Sequence, residues 1–275
     1  MSLKVSIVIP CYNDADFIEH SIRSAHDQTY SNKEIIVVDD GSNSTTKNKL
    51  KTLKPLIDVL ITQENKGQST ARNIGISNAK GEYILILDSD DYFEPSFSEK
   101  AVGILENPRV SLVTCFARCF NRKGEWVFKP QGGAIEDFLF SNASLGNAAL
   151  FRKDRWQEIG GYDENMRQGW EDWEFYIRLL MAGGECFVIS EVLFNYRKRN
   201  DSTTKIANVH KYELYRYIFL KHKELYFENY SSTIDFLLNK VSFEEREKIK
   251  NLQRIEYRLG EKVLYPLRAL KNIWK

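Results

Sequence analysis

Short apolar runs alternate with helical periodicity through the first ninety or so residues. Lys4 to Ile9 reads as a strand closed by Pro10. Asn13 or Asp14 offers a cap for a helix through about His26, with Phe17, Ile18, Ile22 and Ala25 at helical spacing. Glu34-Ile35-Ile36-Val37-Val38 is the near-continuous apolar run of a parallel strand covered on both faces. A helix around Thr45 to Leu53 and a strand around Val59 to Thr62 follow. Ser69 or Thr70 then opens a helix through Ala79, Gly81 stops it, and Tyr83 to Leu87 is the next buried strand. This order predicts an α/β fold on an open, mostly parallel sheet with right-handed crossovers.

The pattern then loosens. Phe97 to Glu106 reads as a helix, Val110 to Ala117 as a strand and Glu125 to Phe128 as a short strand. Trp173 to Met181 is helical, and Cys186 to Ile189 and Val192 to Tyr196 read as two short strands. After Asn208 the character is helical and aromatic, without a glycine between Gly184 and Gly260. Ser242-Phe243-Glu244-Glu245 has capping-box spacing, which marks a helix start. The division expected is a domain over residues 1–205 and a helical C-terminal extension over 206–275.

Composition narrows the function. With 43% hydrophobic and 28% charged residues a packed core is expected and wholesale disorder is excluded. Lys plus Arg is 39 against 38 for Asp plus Glu, so binding of nucleic acid through global charge is excluded. No apolar run approaches the roughly 18 residues of a spanning helix, and the first run is too short for a secretory leader. Cys11, Cys115, Cys119 and Cys186 form no CxxC pair. They read as small buried hydrophobes of a reducing, cytoplasmic setting rather than as a zinc site.

Open α/β sheets bind ligands at the carboxyl ends of their strands. Three such ends are polar here: Pro10-Cys11-Tyr12-Asn13, Asp39-Asp40-Gly41-Ser42 and Asp88-Ser89-Asp90-Asp91. Singly each is an ordinary turn; together they lie on one edge and make a site. Three carboxylates within four residues repel unless a cation offsets them. Hard divalent ions such as magnesium or manganese suit such oxygen ligands and share them with substrate phosphates. Neither GxGxxG nor GxxxxGK[ST] is present, which argues against a dinucleotide oxidoreductase and a P-loop NTPase.

The ordered set Ile7-Val8-Ile9-Pro10-x-Tyr12-Asn13, Val37-Val38-Asp39-Asp40-Gly41-Ser42, Asn65-x-Gly67-x-x-x-Ala71-Arg72-Asn73-x-Gly75 and Leu87-Asp88-Ser89-Asp90-Asp91 resembles the family 2 glycosyltransferases. The resemblance continues through Phe151-Arg152, Gly160-Gly161-Tyr162-Asp163-Glu164 and Glu171-Asp172-Trp173-Glu174, and covers roughly residues 4 to 204. It implies a GT-A fold and inverting sugar transfer from a nucleotide-diphosphate sugar, a UDP-sugar first, to a saccharide or lipid-linked saccharide. It also implies Mn2+ or Mg2+ as cofactor and a role in building a bacterial surface polysaccharide or glycan.

Carried over by position, Pro10, Tyr12 and Asp40 would hold the nucleobase with Asp39 nearby. Arg72 would face the donor diphosphate or form a helix-surface salt bridge. Asp88, followed by Ser89, would contact ribose, and Asp90 would bind the metal. Inverting transfer needs a base for the acceptor proton; Asp172 matches the family's base, with Glu171 behind it. One departure stands out. Many relatives carry a metal-assisting histidine after the last short strands, where this chain has Arg199. Arginine cannot ligate a cation but pairs with diphosphate bidentately. The basic, apolar segment Lys262 to Lys275 suits an anionic membrane surface at the cytoplasmic face, or packing on its own domain or on a second subunit. Two rival readings are a catalytically silent nucleotide-sugar-binding module and a nucleotidyltransferase. The second lacks its glycine-rich basic loop after the first strand.

Overall fold

The computed structural model describes residues 3–199, 203–257, 259–260 and 263–264. Backbone proximity divides the chain into two units, Met1–Ile218 and Phe219–Lys275.

In the first unit, strands β1 (Val5–Cys11), β2 (Lys33–Asp40), β3 (Val59–Gln63) and β4 (Tyr83–Ile86) alternate with helices α1 (Ile18–His26), α2 (Ser44–Leu53) and α3 (Gln68–Asn78). Pairing is parallel throughout, in the order β3-β2-β1-β4. The chain continues through β5 (Tyr92–Phe93), α4 (Phe97–Leu105), β6 (Val110–Asn121), β7 (Gly124–Phe128), α5 (Ile135–Phe138), β8 (Leu150–Arg152), α6 (Lys153–Glu158), α7 (Glu171–Met181) and β9 (Glu185–Arg197). Here the sheet becomes mixed. β8 lies antiparallel between β4 and β6, β9 runs parallel to β6, β5 closes the far edge and β7 forms a hairpin with β6. β8 is three residues long, too short to leave a periodicity in the sequence.

The two segments expected as separate strands at 186–189 and 192–196 are one bent strand. Cys115 pairs with Ile189 and its neighbour Phe116 with Val192, so Ser190 and Glu191 bulge out of β9 while pairing resumes beyond them. β1 also runs through Pro10 to Cys11 instead of stopping before it. Val8 accepts a hydrogen bond from Leu87 on the β4 side. Pro10, two residues on, faces the same side after β4 has ended, so its missing N–H deprives no partner.

Side-chain alternation sets the layers. Val5, Ile7 and Ile9, Ile35 and Val37, and Tyr83 and Leu85 pack with α1, α2 and α4 in one core. The opposite face receives α3 and α7: Phe151, in register with Ile84, meets Phe175 of α7 at 5.1 Å between ring centroids. α3 approaches closely because Gly75 has no side chain. A Cβ there would overlap Val8 Cγ1 and lie 3.1 Å from Val38 Cγ2. Gly75→Ala is therefore expected to destabilise the fold by about 1–3 kcal/mol, read as a lower denaturation midpoint. An unchanged midpoint would show that the helix can lift from the sheet without loss.

The sequence then enters α8 (Thr203–Val209), α9 (Lys211–Lys221), α10 (Lys223–Glu228) and α11 (Tyr230–Gln253). α9 buries Leu214 and Ile218, which carries the first unit past the change of composition near residue 205. Ser242 to Glu245 lies inside α11 rather than at a helix start. With no glycine or proline across its 24 residues, nothing interrupts the helix there. Among the described residues no helix is long and apolar enough to cross a membrane. Apart from Val263 and Leu264, the basic C-terminal segment lies outside the described residues. All four cysteines are free and buried, and burial pushes the thiols of Cys11, Cys115 and Cys186 up to about 12.

Candidate active site

The polar ends of β1, β2 and β4 are joined by hydrogen bonds rather than merely adjacent. Asn13, with φ of 59°, accepts from the Asn43 amide through its side chain (2.8 Å), and its own amide donates to Ser42 Oγ (3.0 Å). Asparagine tolerates this left-handed conformation better than other non-glycine residues. Asp14 Oδ2 accepts from Ser89 Oγ, which ties the end of β1 to the end of β4.

The paired aspartates after β2 divide their work. Asp39 is buried, and its Oδ1 accepts from the Ser42 amide (2.9 Å), fixing the turn. Asp40 Oδ1 accepts from Gln63 Nε2 (2.7 Å) and the Lys66 amide (2.8 Å), and Oδ2 from the Gly67 amide (2.9 Å). These bonds use three of the about four acceptor positions of a carboxylate. Gly41, with φ of 77°, lets this turn approach the loop: a Cβ there would lie 2.6 Å from Asn65 N. Pro10 is buried in β1, whereas Tyr12 is 50% exposed and presents a ring at the same edge.

Arg72 does not lie on a helix surface. It projects from α3 into the interior, 1% exposed, with Nη2 2.8 Å from Asp88 Oδ1 and Nη1 2.7 Å from Glu171 Oε1. With its oxygen toward the guanidinium, the Asn147 amide accepts from Nη1 (3.3 Å) and Nη2 (3.0 Å) and donates to the Tyr162 hydroxyl (3.1 Å). Asn73 stitches the next contact: Oδ1 accepts from the Tyr162 amide (2.8 Å), and Nδ2 donates to Glu164 Oε1 (2.9 Å). Arg72 thus links the end of β4 to the start of α7.

The acidic cluster is partly neutralised by arginines. Asp88 has Arg72. Asp91 is buried and its Oδ1 accepts from the Arg197 amide (2.7 Å). Burial first, then Asp90, raises Asp91 well above the usual carboxylate range. Asp90 is partly exposed, at 23% against 35% for Asp88, with Arg199 Nη1 3.5 Å away. Burial, then Asp88 and Asp14, pushes it up to about 6.

α7 brings the last carboxylates. Its first turn follows Gly169 and Trp170, both at positive φ (110° and 63°). A tryptophan in this region is strained, and such strain clusters at functional sites. Trp173 is buried and donates to the Phe138 carbonyl, so it belongs to the core. Trp170 is half-buried, edge-on to Tyr215 at 4.7 Å. Glu171 is buried on Arg72. Asp172 is half-buried; Oδ1 accepts from the Trp173 amide (2.8 Å) and Oδ2 from Asn142 Nδ2 (2.9 Å). Burial, with the Glu171 carboxylate beside it, pushes Asp172 up to about 7. A carboxylate so placed is poised to accept a proton near neutrality.

Asp14 and Asn142 were not singled out as site residues by the sequence. Asp14 reads locally as a helix cap, and Asn142 lies in a loop that carries no motif.

The model of glycosyl transferase family 2 matches residues 6–176. An uncharacterized glycosyltransferase of Haemophilus influenzae is 30% identical over 218 residues, 75% of this chain and 74% of its own length. Among solved structures, S. aureus TarS 1-349 in complex with UDP-GlcNAc superposes with a TM-score of 0.64 at 19% identity, over 74% of this chain and 61% of that one. The chain therefore spans about three fifths of that TarS structure. The mannosyltransferase PcManGT of Pyrobaculum calidifontis, in complex with GDP-Man and Mn2+, gives a TM-score of 0.59 at 19% identity, over all of this chain and 88% of that one. At such identities the likeness is one of fold, and that fold is the GT-A type expected from the sequence.

Proposed function

The chain belongs to glycosyl transferase family 2, and from that premise we propose that it transfers a hexose, with inversion, from a nucleotide-diphosphate donor to an acceptor hydroxyl. The observation that carries this reading is the continuous network from Asn43 through Asn13, Asp14 and Ser89 to the end of β4, and from Asp88 through Arg72 to Glu171. It sets a donor edge and a base of raised pKa on one scaffold. The exposed Tyr12 ring suits a nucleobase, with the fourth acceptor position of Asp40 for a base N–H, and Asp88 suits the ribose.

Asp172 takes the proton of the acceptor hydroxyl as its oxygen attacks the anomeric carbon. The bond to the leaving diphosphate breaks on the opposite face, which inverts the centre. The side chains fit a divalent cation that shares its ligands with donor phosphates. The partly exposed Asp90 would offer carboxylate oxygen, and the donor phosphates would supply the further oxygens such an ion needs. Bound there, Mn2+ or Mg2+ would stabilise negative charge on the departing diphosphate. The complex of the structurally similar mannosyltransferase with GDP-Man and Mn2+ supports this choice. UDP-GlcNAc bound to TarS supports a UDP-sugar. Four free, buried thiols suit a cytoplasmic setting, with a saccharide or lipid-linked saccharide acceptor of the cell envelope and the basic C-terminal segment at the membrane face.

The test is a panel of nucleotide sugars assayed for metal-stimulated hydrolysis and transfer. Asp90→Ala is expected to abolish turnover and the metal-dependent part of donor affinity while keeping the fold, because removing a carboxylate held up by burial and like charge relieves repulsion. Equal donor affinity of the parent protein with and without metal would refute the metal assignment.

A further inference from the structure

Two carboxylates from different strand ends meet on one guanidinium nitrogen. Arg199 Nη1 donates to Asp14 Oδ1 at 2.5 Å and to Asp90 Oδ2 at 3.5 Å. Asp14 follows β1, Asp90 follows β4 and Arg199 follows β9, so only the assembled sheet brings them together. The Phe17 ring supports the group from one side, 4.9 Å from the guanidinium carbon. The side chain is 25% exposed, so it is held and still reachable from solvent. The two contacts are unequal. The short one to Asp14 is a full charge-assisted hydrogen bond, and the long one to Asp90 is at the limit of one.

We infer that Arg199 is an exchangeable plug on the cation position: hinged on Asp14, it neutralises Asp90 until a nucleoside diphosphate arrives, then turns to the diphosphate and frees Asp90 for a divalent ion. This rests on the donor reading proposed above and deepens it. A guanidinium keeps its charge at any working pH and matches phosphate oxygens in pairs. A divalent ion approaching Asp90 in the nucleotide-free protein meets that positive charge. Diphosphate removes the repulsion by drawing the guanidinium away, and supplies the ion's remaining oxygen ligands. Metal and nucleotide then bind synergistically, each raising the other's affinity by the same factor.

The experiment measures Mn2+ binding from the resonance of the free ion, and UDP and GDP binding by calorimetry, each alone and together. It uses the full chain, R199A and R199K, with folding checked by circular dichroism. The parent is expected to bind Mn2+ weakly alone and about tenfold or more tighter with the preferred nucleotide. R199A should bind Mn2+ alone about tenfold tighter than the parent and nucleotide alone about tenfold weaker, with the synergy reduced. R199K, which keeps the charge but loses the fork, should fall between. Unchanged or weaker Mn2+ binding by nucleotide-free R199A overturns the plug, while nucleotide binding to the parent leaves the donor reading standing. If neither UDP nor GDP binds the parent, the plug is overturned, and the UDP-sugar and GDP-sugar forms of the donor reading fall with it.

Discussion

Asp172→Asn is expected to lower sugar transfer by about 10²–10⁴-fold, the usual cost of removing a general base, with donor affinity nearly unchanged. The substitution keeps the shape and the acceptor oxygen facing Trp173, but removes the proton-accepting charge and the acceptor for Asn142 Nδ2. The pH profile gives a second readout. Burial and Glu171 raise the Asp172 pKa to about 7, so the competent carboxylate accumulates as pH rises through neutrality. Transfer should therefore climb between about pH 6 and 8 and then level, instead of levelling near pH 5 as for an ordinary carboxylate. Glu171→Gln removes the neighbouring negative charge and should shift that rise to lower pH. Near-parent transfer in Asp172→Asn together with lost transfer in Glu171→Gln would exchange the two roles. Full transfer in both would favour a base elsewhere, and donor binding with no transfer in the parent would favour the silent binding module.

Arg72→Met is expected to cost about 3–5 kcal/mol of stability, the range for breaking a buried ion pair from one side. Arg72 and Glu171 are both buried, so the variant strands Glu171 without a cation. Asp88, whose side chain is 35% exposed, can turn partly to water, so most of the loss belongs to the Glu171 arm. Replacing both partners, R72M with E171M, should cost less than the sum of the single changes, since neither charge is then left alone. Additive losses in denaturant titrations would show that the pair is not coupled. A well-folded Arg72→Met protein with lost transfer would instead point to direct work on the donor.

Much of the architecture was legible in local patterns. Continuous apolar runs mark β2 and β4 because strands covered on both faces need them, and 3.6-residue spacing marks α1 and α4. The quoted motifs stand in a fixed order because they bond to one another: Asp40 holds the amides of Lys66 and Gly67, and Asn73 holds Tyr162 and Glu164. Where pattern was short or interrupted, the reading stopped. β8 has three residues, the bulge at Ser190 and Glu191 hid the continuity of β9, and a polar cap signature at Ser242 passed unused inside α11.

The sequence by itself determined the four parallel strands and the helices between them, that three polar strand ends share one edge, and which carboxylates stand there. Those facts depend on side-chain period and on the chirality of crossovers, both local. Only the tertiary structure decided which cation meets which carboxylate. Arg72 finds Glu171 across 99 positions and Arg199 finds Asp14 across 185. Nothing local distinguishes a buried bridging arginine from a surface one. The partner is selected by where the assembled sheet sets two distant chain segments, and by the large cost of leaving a charge unpaired once water is excluded.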